Sequence, residues 1–140
     1  MYSQNVKSRM SFGESLTSVF NKYATFTGRA RRSEYWWFYL FYYVACFVIN
    51  LMSFALIYGG LPVDTNSYIV FQIFCLVFFI GLFLPTLAVG VRRLHDIGKS
   101  GWNLLWVVVP IIGPIILLVW HCRDSMVEAN KYGESPKYIS

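Results

Sequence analysis

The stretch SEYWWFYLFYYVACFVINLMSFALIYGGLPVDTNSYIVFQIFCLVFFIGLFLPTLAVGV, residues 33–91, decides the fold class. It contains no lysine or arginine. Arg29, Arg31 and Arg32 stand just before it, and Arg92 and Arg93 follow it directly. Two apolar runs lie inside it, residues 35–57 and 68–91. At about 1.5 Å per residue, each is long enough to cross a hydrocarbon core of about 30 Å. The turn between them carries Gly59, Gly60, Pro62, Asp64 and Asn66 and no basic residue. Basic clusters at both outer ends and none in the connecting turn describe a membrane hairpin with both ends on the cytoplasmic side.

Composition supports this reading. Of 140 residues, 56% are hydrophobic and only 14% charged, against about 25% charged in an ordinary soluble domain. The net charge of +5 would suit nucleic acid as well as anionic lipid. The basic residues cluster beside apolar runs, so the expected partner is the leaflet surface and not nucleic acid. Cys46 and Cys75 fall inside apolar runs and Cys122 just after one, with no C-x-x-C pair and no zinc spacing. They read as small packing residues, so no metal and no cofactor is expected. Residues 1–32 lack the apolar core and cleavage site of a signal peptide.

Three segments flank or interrupt the pattern. Ser11-Phe12-Gly13-Glu14 is a capping box. Phe12, Leu16, Val19, Phe20 and Tyr23 then form an apolar stripe that predicts a short amphipathic helix ended by Gly28. Such a helix either packs on its own protein or lies in the headgroup plane. Within the first span, Asn50 is expected to bond to another helix, and Tyr42 or Tyr43 to face one. Pro85 predicts a kink in the second span. The third apolar segment, residues 102–120, is broken by Pro110, Gly113 and Pro114. A kinked single span and a helical hairpin returning to the same side both fit. The single span is favoured here, so the fold expected is all-α and polytopic, with three transmembrane segments and an N-terminal amphipathic helix. Residues 1–34 form the cytoplasmic segment, 35–122 the transmembrane domain and 123–140 a polar tail.

Charge gathers in two motifs, Gly28-Arg29-Ala30-Arg31-Arg32-Ser33-Glu34-Tyr35-Trp36 and Arg92-Arg93-Leu94-His95-Asp96-Ile97-Gly98-Lys99-Ser100-Gly101-Trp102. With Phe26 ahead of the first and the tail Asn130-Lys131-Tyr132-Gly133-Glu134-Ser135-Pro136 behind, their order and spacing resemble the domain-of-unknown-function 805 family, small bacterial inner-membrane proteins. The resemblance covers residues 12–136. It departs in the tail, where Val127-Glu128-Ala129 replace a glycine-rich lead. It implies an inner-membrane location and an all-helical fold, and brings no activity with it.

The site residues support two arrangements. One is a structural ion-pair network, with Glu34 bonded to Arg92 or Arg93 and Asp96 to Arg31 or Arg32. The other is a site for an anionic ligand, built from Arg29, Arg31, Arg32, Arg92, Arg93 and His95. That ligand would be a phospholipid head group, a lipid-linked sugar phosphate or an acidic segment of a partner. Five arginines against two acids leave excess charge, for which headgroup phosphate is the nearest counter-charge. No catalytic set is evident, since His95 and Asp96 are adjacent and do not face each other on a helix. The expected role is therefore a non-enzymatic scaffold or accessory protein, alone, as a homo-oligomer or with a membrane-protein partner. A small transporter or channel component and a lipid-modifying enzyme are the alternatives.

Overall fold

The computed structural model describes residues 6–59 and 64–139. Among them it is all-helical, with no strand. Part of the expected turn between the long helices, residues 60–63, lies outside the described residues.

Helix α1, Phe12–Asn21, begins at the predicted capping box. The Ser11 amide donates to the Glu14 carboxylate at 2.7 Å, and the Glu14 amide donates to the Ser11 hydroxyl at 3.3 Å. The helix stops well short of Gly28. The Lys22 amide closes it on the Ser18 and Val19 carbonyls. Gly28 instead supplies a turn at φ +83°, a conformation that costs glycine little, and this turn aims Arg29 at the bundle.

Helix α2, Arg32–Tyr58, and helix α3, Thr65–Asp96, are both long and apolar enough to cross a membrane. Asp64 caps α3 by accepting the Ser67 amide at 3.2 Å. The last turn of α3 carries Arg92, Arg93, His95 and Asp96 on helical backbone. Asn50 does not bond to another helix, because its amide turns back to the Cys46 carbonyl at 2.8 Å. Of the two tyrosines, Tyr42 packs against the core and Tyr43 faces outward.

The third apolar segment is a hairpin, and the expected single span is corrected. A 3-10 helix, Gly101–Val108, leads to helix α4, Ile112–Cys122. Pro110, Ile111 and Ile112 make a tight γ-turn, with Ile111 at φ 67° and the Ile112 amide on the Pro110 carbonyl at 2.8 Å. Pro114 falls in the first turn of α4, where a missing N–H costs no helical bond. The arms meet closely at Gly113, where a Cβ would lie 1.7 Å from the Trp106 carbonyl oxygen. Eight residues of 3-10 helix and eleven of α-helix each rise about 16 Å, roughly half a bilayer core. The segment leaves from the end of α3 and returns to that same end.

A core of Val19, Ala30, Tyr35, Phe38, Leu82 and Val89 joins α1, α2 and α3 at this end. Farther along, α2 and α3 expose Phe47, Leu51, Phe54, Ile73 and Val77. A face this apolar needs a non-aqueous cover.

Candidate functional site

The two arginine motifs meet at the end of the bundle where the core lies. They can do so because α2 starts where α3 ends, and the Ala30 amide ties the two motifs directly by donating to the Arg92 carbonyl at 3.0 Å. Arg92 Nη1 donates to Glu34 Oε1 at 2.8 Å, and the Ser18 hydroxyl of α1 donates to the same oxygen at 3.2 Å. This is one of the two pairings expected for Glu34. Both side chains are almost wholly buried.

Asp96 pairs differently from the expectation. Its partners are Arg29, at 3.0 Å, and Arg93, at 2.5 Å, and not Arg31 or Arg32. The turn at Gly28 swings Arg29 inward, while α3's own i,i+3 spacing brings Arg93 round. The Ser125 hydroxyl adds a third donor at 2.5 Å. Asp96 is fully buried, and three donors satisfy its carboxylate.

Most of the remaining arginine donors go to backbone carbonyls. Arg29 donates to Met126, Glu128 and Gly133 of the tail, at 2.6, 2.9 and 3.2 Å. Arg31 donates to Ser8 and Lys7, at 2.6 and 3.1 Å. Arg93 donates to His121, at 3.2 Å, and to Arg123. Arg32, half exposed, reaches the Cys122 carbonyl at 3.3 Å. The carbonyls of His121, Cys122 and Arg123 close α4, so the negative end of its dipole rests on arginine.

Arg29, Arg92 and Arg93, expected at an anionic ligand, are buried within the network, where their carboxylate partners are Asp96 and Glu34. Arg31 is also buried, leaving Arg32 as the exposed member of the set. Arg92 keeps Nε and Nη2 without a partner among the described residues.

His95 is likewise engaged. Its Nδ1 donates to the Gly28 carbonyl at 3.1 Å. Its ring stacks on Tyr132 at 3.7 Å, nearly parallel. The tail motif that carried only a resemblance in the sequence now has a physical role. The Asn130 amide donates to the His95 carbonyl, the Tyr132 amide donates back to the Asn130 oxygen, and Gly133 turns at φ +123°. On the far side of α2, Tyr35 stacks on His121 of α4, with ring centres 4.4 Å apart.

Beside the network lies an open cleft of about 1060 Å³. Its upper part carries Arg9, Arg31, Arg32, Asp124 and Lys137, and its lower part Trp36, Trp37 and Leu40. Lys137 bonds to Asp124. Partial burial pushes the Asp124 carboxyl up, but hydrogen bonds from Lys137 and the Ser125 amide outweigh this and hold it below the usual aspartate value. The same bond raises Lys137 above the ordinary lysine value.

The family described as "protein of unknown function (DUF805)" matches residues 23–134. The chain is 40% identical over 124 residues to "Inner membrane protein YhaI" of Escherichia coli (strain K12), covering 88% of this chain and 95% of that one. It is 36% identical over 122 residues to "Inner membrane protein YhaH" of the same organism, covering 85% and 93%. No solved structure matches it.

Proposed function

The chain belongs to the DUF805 family of proteins of unknown function, and from that premise we propose that it is a non-enzymatic scaffold or accessory protein of the bacterial inner membrane. In this reading α2 and α3 span the bilayer, and α1 lies at the cytoplasmic surface. The hairpin of the 3-10 helix and α4 enters from the cytoplasmic side and returns to it. Both chain ends are cytoplasmic, and the arginine-rich face meets anionic lipid or a membrane-protein partner.

One observation carries the reading: a single end of the bundle holds every charged residue of α2 and α3, the return of the hairpin and the docked tail. The positive-inside tendency assigns that end to the cytoplasm. Buried arginine–carboxylate pairs, with both oxygens of Asp96 and one of Glu34 occupied, suit a rigid platform better than proton transfer. Asp96 is saturated by three donors, and His95 has committed Nδ1 to a carbonyl. Asp96 is not free to act as a general base in this arrangement, while His95 keeps only its Nε2 available.

Cysteine accessibility in intact cells tests the reading. On a background with Cys46, Cys75 and Cys122 replaced by alanine, Asn66→Cys should label from outside. Ser100→Cys and Glu134→Cys should label only after permeabilisation. Labelling of Ser100→Cys or Glu134→Cys from outside would overturn it. Native mass spectrometry of the gently extracted chain reports whether a second copy or another membrane protein travels with it.

A further inference from the structure

We propose that the cleft beside the start of α2 binds one anionic phospholipid, with its phosphate at the first turn of α2 and its acyl chains along Trp36, Trp37 and Leu40. The inference deepens the reading above and rests on its placing this end of the bundle at the cytoplasmic leaflet.

The polar part of the cleft has cations to spare. Arg9, Arg31, Arg32 and Lys137 face one carboxylate, Asp124. Lys137 is bonded to that carboxylate, and Arg32 Nε stands 3.9 Å from it. Arg31 spends its donors on the Lys7 and Ser8 carbonyls. Among the described residues no carboxylate pairs with Arg9, and half of the Arg32 side chain is exposed. Unlike the buried arginines, these two remain reachable.

The start of α2 adds fixed dipoles to these charges. Arg31 occupies its N-cap and makes no side-chain capping bond. The amides of the first turn, at Arg32 and Ser33 on the cleft wall, therefore lack a side-chain acceptor. Uncapped amides beside exposed guanidinium groups suit a phosphate oxygen.

The lower part distinguishes a lipid from a free anion. Ser33, Trp36, Trp37 and Leu40 follow the spacing i, i+3, i+4, i+7, so they share one face of α2 and descend it by about 10 Å. Trp36 and Trp37 are each 38% exposed and Leu40 is 49% exposed. The cleft thus changes from cationic to apolar along the helix axis, which in the proposed topology is the direction of the membrane normal. A phospholipid presents phosphate and then hydrocarbon in that same order. Inorganic phosphate or an acidic peptide would match only the upper part.

The test uses the full chain in detergent, incubated with equal amounts of phosphatidylglycerol and phosphatidylcholine of identical acyl chains, and scored by native mass spectrometry. The expected result is retention of phosphatidylglycerol over phosphatidylcholine by about fivefold or more, falling to parity for Arg32→Gln with Lys137→Gln. Arg32→Lys with Lys137→Arg, which keeps the charge, should keep the preference. So should Arg123→Gln with Lys131→Gln, exposed basic residues outside the cleft. Trp36→Ala with Leu40→Ala should reduce phosphatidylglycerol retention. Parity in the wild type, loss of preference in the charge-keeping pair, or equal loss in the control pair would overturn the site. Displacement of phosphatidylglycerol by excess inorganic phosphate alone would reassign it to a free anion and overturn the lipid. If the site fails while Ser100→Cys stays shielded in cells, the topology stands without it. If Ser100→Cys labels from outside, the topology fails whatever the extracted chain retains.

Discussion

The hydroxyl of Tyr23 donates a hydrogen bond to the carbonyl oxygen of Gly81, the acceptor that Pro85 leaves without a helical donor in α3. A tyrosine just beyond the end of α1 thereby repairs a defect in the second long helix. It also ties α1 to α3, as Ser18 ties it to Glu34 on α2.

Tyr23→Phe should destabilise the detergent-solubilised chain by about 1–3 kcal/mol, since it strands a carbonyl. Pro85→Ala restores the internal donor, so in that background Tyr23→Phe should cost distinctly less. A double-mutant cycle on thermal or denaturant unfolding measures the difference. Equal costs in both backgrounds would mean that Gly81 is not the acceptor that matters.

Removing either buried acid leaves arginine charge without compensation. Asp96→Asn is expected to cost about 3–5 kcal/mol, and Glu34→Gln less, because Asp96 answers to two arginines and a serine while Glu34 answers to one arginine and a serine. Asp96→Asn should also release the tail, seen as faster tryptic cleavage at Lys131 and Lys137. Unchanged stability and cleavage in both variants would make the pairs incidental.

The hairpin depends on close approach at Gly113. Gly113→Ala places a methyl group 1.7 Å from the Trp106 carbonyl oxygen and should lower the unfolding temperature markedly. Ile111→Gly relieves a β-branched residue from positive φ and should change stability by no more than about 1 kcal/mol in either direction. Equal tolerance of both substitutions would contradict the folded-back geometry.

The bond between Lys137 and Asp124 makes one contact of the tail sensitive to pH. Because the Asp124 pKa is depressed, its contribution is complete above the ordinary aspartate value of about 4 and is lost as pH falls through the lowered one. Because the Lys137 pKa is raised, the lysine's share is complete below its ordinary value of about 10.4 and is lost as pH rises through the raised one. The bond therefore persists across neutral pH. Hydrogen exchange of residues 124–138 should speed up on acidification in the wild type. Asp124→Asn should remove the part of that response due to the bond, a modest part because half of the Asp124 side chain is exposed.

The sequence by itself determined where this protein belongs and how its main helices begin and run. Span length follows from counting apolar residues, the start of α1 from one serine and one glutamate three residues apart, and the meeting of the two arginine motifs from the return of an antiparallel pair. Even the Glu34–Arg92 bond was legible as one of two choices, because both residues lie at the same end of adjacent helices. The partners of Asp96 were not legible. They depend on the backbone path at Gly28, which takes Arg29 inward and leaves Arg32 outside. The hairpin was not decided either, since Pro110, Gly113 and Pro114 permit a kink as well as a reversal, and only the tertiary contacts, Gly113 with Trp106 and Arg93 with the end of α4, separate the two. Least visible were the other acceptors of the arginines. Beyond the two carboxylates, these are carbonyls of α4's last turn, of the tail and of residues 7 and 8, and every residue carries a carbonyl. Side-chain chemistry can be read from letters, but a backbone acceptor is specific only by its position, and position is set by the tertiary fold.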